Sequence, residues 1–316
     1  MPSTREVRQR IRSVKNIAQI TRAMEAQAAT KVRRAQARVL ASRPFAEKAW
    51  EILLNLQAVS QGGALHPLLT PREEVRNVKI VLITSDRGLA GAFNTNIIRV
   101  ARRFGQRLGK PVQYVTVGRK GRDSLIRMRE NVVAEFSNLP ANPTIADISP
   151  IARVSIDDFL SGAVDEVFIA YTDFVNMLTQ RPVVKRLLPL TPYHTDDQAV
   201  AEYIKDVPAV STGGRDYEYE PNPAAILDEI VPRFTLLQLY QAVLESQASE
   251  FAARMVAMRN ASENAAVLVE ELTLTYNKAR QAAITSEILD IVGGAEALQS
   301  AIEKASQDIE ESTIAL

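Results

Sequence analysis

Between Arg233 and Val292 the chain contains neither proline nor glycine. Both residues punctuate helices, proline by removing a backbone donor and glycine by its conformational freedom. The gap predicts an unbroken helix of roughly 90 Å at 1.5 Å per residue, longer than one globular domain can bury. Its apolar positions say how it is used. Phe251, Met255, Met258, Ser262, Ala265, Val269, Leu272, Tyr276, Ala279 and Ala283 alternate in steps of four and three, with Tyr240, Leu244 and Ala248 ahead of them. That is the heptad spacing of a left-handed coiled coil. Alanine and serine at several positions admit a partner helix closely while burying less area each than leucine.

A partner helix is present at the other end of the chain. From Val7 to about Leu56 the residues are helix formers, with Pro44 the only proline after Pro2 and no glycine before Gly62. Val7, Ile11, Val14, Ile17, Ile20, Met24, Ala28, Val32, Ala35 and Val39 form one stripe in steps of three and four. Ser3 and Glu6 have the spacing of a capping box. Covalent linkage raises the effective concentration of this stripe at the C-terminal seam, so the two helices are expected to pair.

Between Arg5 and Arg43 there are eleven basic and two acidic residues, a local charge of +9 in a chain whose net charge is +1. Such a helix can neutralise nucleic-acid phosphates or turn inside an acidic or polar protein collar. No aromatic residue lies in this span to stack on bases, which favours the collar.

The middle of the chain changes period. Val78 to Thr84, Val112 to Val117, Val132 to Phe136 and Glu166 to Tyr171 read as strands. Helix-like segments follow the first two, and a third runs from Ala146 to Leu160. Alternation of this kind implies a largely parallel sheet with crossover helices. Thr179 to Leu190 adds an edge strand, since its prolines are awkward in a central one. Residues 191 to 223 read as a surface loop or hairpin. The expected architecture is α/β, a Rossmann-like parallel-sheet domain inserted between two long terminal helices that form an antiparallel left-handed coiled coil. The expected divisions are 1–60 (N-terminal coiled-coil helix), 61–77 (connector), 78–222 (α/β domain), 223–298 (C-terminal coiled-coil helix) and 299–316 (acidic helical extension).

Chemistry is hard to assemble from these parts. There is no cysteine for a disulfide, a thiolate metal site or a nucleophile. The two histidines, His66 and His194, lie in separate proline-rich loops, which argues against a catalytic or metal site. The turn from Ser85 to Gly91 (SDRGLAG) follows a strand but lacks the GxxxxGK[ST] and GxGxxG spacings. A tight strand-to-helix turn needs glycine anyway, and the run GRKG at 118–121 is a weaker motif still. Glu73-Glu74, Asp157-Asp158 and Asp196-Asp197 sit in polar surroundings, where carboxylates are ordinarily solvated. The N-terminus has no apolar stretch resembling a secretory signal and the longest apolar runs are too short to span a bilayer, so a soluble cytoplasmic chain is the expectation.

Three long motifs, in order, are more specific. Ile11 to Gln36 (IRSVKNIAQITRAMEAQAATKVRRAQ), SDRGLAGAFN at 85–94, and Arg254 to Ala297 with its YNKARQAAITSEILDIVGGAEA run closely resemble the gamma subunit of F-type ATP synthase. The resemblance implies a non-catalytic rotor shaft that couples proton-driven c-ring rotation to ATP synthesis or hydrolysis at the alpha–beta sites. It implies one such chain per three alpha and three beta subunits, contacts with epsilon and the c-ring, no cofactor, no nucleic acid, and membrane association only through the Fo sector. It also implies a peripheral position on the cytoplasmic face of a bacterial plasma membrane. Residue by residue, Arg280 and Gln281 match the contact with the beta catch loop, with Thr285 one turn on. Met24 and Arg254 match positions implicated in coupling efficiency, and Lys278 and Arg8 complete the implied partner-binding set. Met24 can equally be a packing residue of the coiled coil.

The departures are local. Ala26-Gln27-Ala28-Ala29 stands where the family usually has Met-Val-Ala-Ala, and Ala90 where many relatives carry cysteine. Relatives tend to stop soon after GGAEAL, whereas Gln299 to Leu316 adds 18 residues here. That tail keeps helical apolar spacing at Leu298, Ile302, Ala305, Ile309 and Leu316. It is acidic, and it reads as an extended bearing that projects beyond, or lines, the top of the alpha–beta collar. A coiled-coil scaffold unrelated to rotation and a nucleotide enzyme with helical arms are the competing readings.

Overall fold

The computed structural model describes residues 3–59, 66–190 and 223–314. The expected loop at 191–222, with His194 and Asp196-Asp197, lies outside the described residues. Helix α1 spans Thr4–Val59. Strand β1 (Val78–Ile83) leads to α2 (Phe93–Leu108), β2 (Val112–Val117), α3 (Arg119–Arg127), β3 (Val132–Phe136), α4 (Ile145–Leu160), β4 (Glu166–Phe174), β5 (Gln180–Leu188) and the final helix α5 (Pro223–Ile314). The chain divides into two compact units, residues 24–258 and residues 1–23 with 259–316.

In the larger unit the five strands lie in the order β3-β2-β1-β4-β5. The first four are parallel, and β5 runs antiparallel on the edge beside β4. The edge position tolerates Pro182, which has no N–H to give to a ladder. All six residues of β1 are buried, because helices cover both faces of the sheet. Ile80 and Leu82 pack with Ile97, Phe104 and Leu125 of α2 and α3. Val81 and Ile83 pack with Ile151 and Phe159 of α4 and with Leu227, Val231, Phe234 and Val243 of α5. The first turns of α5 are therefore part of the domain layer.

That packing explains why α5 begins before Pro232, ten residues ahead of the proline-free stretch. Burial of Leu227, Val231 and Phe234 outweighs the roughly 3 kcal/mol that an interior proline costs a helix. The expected connector also does more than connect. Leu68 and Leu69, in a 3-10 turn at Pro67–Leu69, are fully buried in the sheet core. His66 starts that turn by accepting the Leu68 N–H on Nδ1 at 3.1 Å, and burial lowers its pKa.

Within this unit α1 and α5 run antiparallel. Val32, Ala35 and Val39 pack on Leu244, Ala248, Phe251 and Ala252, with Phe174 of β4 in the same cluster. Polar clamps join the helices to the domain. The Arg38 guanidinium donates to Ala141 O at 3.1 Å and to Asn142 Oδ1, and Gln247 Nε2 donates to Pro140 O at 3.1 Å. The Ser249 hydroxyl donates to Thr172 O at 3.0 Å.

In the smaller unit the seam uses Val7, Ile11, Val14, Ala18 and Thr21 of α1. This corrects the stripe expected from apolar identity, because Ile17 and Ile20 are 52% and 60% exposed. Strict four-three spacing from Val14 selects Ala18 and Thr21. Facing them on α5, Ser262, Ala265, Val269, Leu272, Tyr276 and Ala279 are buried or half-buried as expected, while Ala283 is exposed. No helix among the described residues is long and apolar enough to cross a membrane.

Candidate functional site

Two surfaces contain the residues singled out above, one in each unit. In the larger unit the β1–α2 turn is built by side chains. Ser85 N donates to Asn94 Oδ1 at 3.0 Å, Asn94 Nδ2 returns a bond to Ser85 Oγ at 2.8 Å, and the Ser85 hydroxyl donates to Arg87 O at 2.7 Å. Leu89 is held at φ +64° and is 62% exposed. A left-handed leucine carries local strain, which the surrounding bonds must hold in place.

Asp86 reaches from the β1–α2 turn to backbone donors of the two neighbouring loops. Its Oδ1 accepts the Arg119 N–H at the start of α3, and its Oδ2 accepts the Asn138 N–H. Lys120 N donates to Ser85 O and Gly121 N to Thr84 Oγ1. The donors that could cradle an external anion thus bind the protein's own oxygens. The glycine at 118 is required by close approach: at φ +97°, a Cβ there would lie 2.3 Å from Thr84 O.

Arg254 of α5 fastens this turn to the long helix. Its Nη2 donates to Gly88 O at 3.2 Å, and its Nη1 lies 2.7 Å from Glu250 Oε1. Both side chains are largely buried, at 13% and 15% exposure. Burial raises the Glu250 pKa, with Arg254 opposing the shift. A polar cavity of about 370 Å³ adjoins, lined by Lys31, Asp86, Arg87, Arg119, Glu250 and Arg254 among others. Sequence reading missed Asp86 and Glu250. The Glu250–Arg254 pair was detectable as an i,i+4 spacing with the acid first. Met24 belongs to the same unit and is half-buried.

In the smaller unit the Arg8 guanidinium lies over the Tyr276 ring, 5.3 Å from its centroid, and donates to the Tyr276 hydroxyl. Arg8 is therefore spent at least partly on the helix pair. Lys278, Arg280, Gln281 and Thr285 lie on α5 and are exposed. The Thr285 hydroxyl donates to Gln281 O at 3.0 Å, an internal helix bond. From Gln281 to Ser300 every residue is exposed.

A mixed five-stranded sheet inserted between two long helices is the class of fold these elements define. A family model described as ATP synthase matches residues 3–298. The chain is 48% identical over 301 residues to the ATP synthase gamma chain of Roseiflexus castenholzii, covering 94% of this chain and 99% of that one. It is 49% identical over 299 residues to the gamma chain of Dehalococcoides mccartyi, covering 94% and 100%. Among solved structures, the central stalk and c-ring structure of the Tetrahymena thermophila mitochondrial ATP synthase matches with TM-score 0.58 and 26% identity, covering 77% of this chain and 99% of that one. A chain of the Euglena gracilis mitochondrial enzyme shares the fold, with TM-score 0.64 at 20% identity over 94% and 95%. The chain belongs to the ATP synthase gamma chain family.

Proposed function

We propose that this chain is the non-catalytic rotor of an ATP synthase, transmitting torque between a c-ring and three alpha–beta pairs while holding no substrate itself. The observation that carries the reading is the exposed end of α5. Arg280, Gln281 and Thr285 are presented to solvent directly after the seam with α1 has ended at Ala279. An asymmetric, rigid helix surface of this kind can bias surrounding sites only by binding them differently at different angles.

In this reading Arg280 is the principal catch, since a guanidinium offers paired hydrogen bonds to a carboxylate. Gln281, Thr285 and Lys278 flank it, and Arg254 and Met24 tune coupling from the larger unit. Arg8 contributes both to the helix pair and to the partner surface. The working divisions are the two terminal helices 1–60 and 223–298, the connector 61–77, the α/β domain 78–222 that meets epsilon and the c-ring, and the extension 299–316. The assembly has one such chain per three alpha and three beta subunits and lies peripherally on the cytoplasmic face of a bacterial plasma membrane.

Co-purification with alpha and beta, followed by ATPase-driven rotation of a bead fixed to the middle domain, tests the mechanism. Normal ATP hydrolysis without rotation of the bead would overturn it.

A further inference from the structure

His66 is one of two histidines in the chain and the only one among the described residues. It stands where the connector enters the domain, immediately before the 3-10 turn Pro67–Leu69, with 10% of its side chain exposed. Its two ring nitrogens face different neighbours. Nδ1 accepts the Leu68 N–H at 3.1 Å, while Nε2 lies 3.7 Å from Asp228 Oδ1 in the first turns of α5. A ring nitrogen that accepts a hydrogen bond carries no proton, so this geometry requires the neutral imidazole with its hydrogen on Nε2.

The turn that His66 starts holds more than itself. Leu68 and Leu69 belong to the same core cluster as Leu190, Leu227 and Val231. Leu69 N donates to His66 O at 2.8 Å, and Leu190 N donates to Leu68 O at 3.0 Å. The connector, the segment leaving β5 and the foot of α5 therefore meet at one point. Protonation of Nδ1 would set two donors against each other and leave the Leu68 N–H without its acceptor. Asp228 favours the charged ring but faces only the Nε2 side, with 77% of its own side chain exposed. Among the described residues it is the one charged group acting on His66, and α4 and the sheet bring none to it.

We propose that His66 is an acid-sensitive clasp, which pins the Pro67–Leu69 turn into the domain core while its ring is neutral and releases the turn when Nδ1 takes up a proton. The clasp belongs to the folded chain itself and does not require the rotor assembly. Burial lowers the His66 pKa from 6.5, and Asp228 opposes the shift without cancelling it. The open turn thus binds the proton more readily than the closed one. Closure is complete above about pH 6.5 and is lost progressively as pH falls below it.

Hydrogen exchange of the full chain at about pH 7.5 and about pH 5.5, corrected for the intrinsic pH dependence of amide exchange, tests the clasp. Amides of Leu68, Leu69, Thr70 and Leu190 should lose up to about tenfold in protection at the lower pH, while those of β1 and α2 keep theirs. His66→Asn should abolish the loss, because the amide oxygen of asparagine accepts a backbone N–H at such a position and does not titrate. In the unsubstituted chain, NMR of the His66 ring should show it titrating below its value in urea. Unchanged protection of the parent at the lower pH overturns the proposal, and so does an equal loss in His66→Asn. A ring that titrates at or above its value in urea overturns it as well. A His66→Asn chain whose turn is already open at neutral pH would show that ring packing, not the Nδ1 acceptor, holds the turn, and would overturn it too.

Discussion

Asp86 accepts the backbone N–H of Arg119 at 3.1 Å, so the carboxylate of one loop caps the helix that follows the neighbouring strand. The same group accepts Asn138 N–H at 3.0 Å, tying three loops at the carboxyl end of the sheet. The carboxylate thus supplies internally the acceptor that two neighbouring loop N–H groups need.

Asp86→Ala should therefore destabilise the larger unit by about 2 kcal/mol, the scale of losing hydrogen bonds to a charged acceptor that is partly reached by water. Inorganic phosphate should raise the melting temperature of this variant and leave the parent unchanged, because only the variant has vacant donors. Thermal melts of the full chain with and without phosphate decide it, and equal shifts in both proteins would refute the internal-anion account.

Gly118→Ala should be more costly, about 2–4 kcal/mol, since both the positive φ and the contact with Thr84 O oppose a side chain. Gly109→Ala, also at positive φ but with open space around it, should lose only the conformational part. Urea unfolding of the two variants side by side separates clash from dihedral strain. Similar midpoints would mean that the strand-to-helix turn relaxes.

Arg254→Ala leaves Glu250 buried without its counter-charge, and a loss of about 3 kcal/mol is expected at neutral pH. Burial already raises the Glu250 pKa, so the folded variant favours the protonated acid. Its deficit should grow as pH rises through and above the ordinary carboxylate range and shrink on the acid side. Adding Glu250→Gln should recover much of the loss. A pH-independent deficit, or no recovery in the double variant, would place the effect in the Gly88 carbonyl bond instead.

The strands were legible where apolar runs are bracketed by glycine, proline or charge: β2 and β3 match their sequence limits residue for residue, and Pro182 marked β5 as an edge. The helix pair was legible as a period but not wholly as a residue list. Ile17 and Ile20 drew the eye by hydrophobicity, while the heptad geometry selects Ala18 and Thr21. The cap by Asp86 was hidden, because its donors lie 33 and 52 residues away and only the sheet order brings them together. The partner contact proposed for Arg280 rests on resemblance alone, since an exposed helix arginine has no local signature of its use.

Lys79 gives the clearest pH test of the core. It lies in β1 with its side chain fully buried, and its ammonium meets Asp158 of α4, whose side chain is 38% exposed. Desolvation lowers the Lys79 pKa from 10.5 to about 8. The unfolded chain therefore binds more protons at this position between about pH 8 and 10.5, and stability attributable to Lys79 should rise with pH across that window. Below it the cost of burying the charge is fully present, and above it the cost is gone. Lys79→Met removes the titration, and Asp158 can still be hydrated. The stability difference between parent and variant should therefore move in the parent's favour by up to about 3 kcal/mol from pH 7.5 to 10.5. Circular dichroism with urea at both pH values measures this directly. A difference that stays constant, or moves the other way, would show that Lys79 remains charged by its pairing with Asp158 throughout.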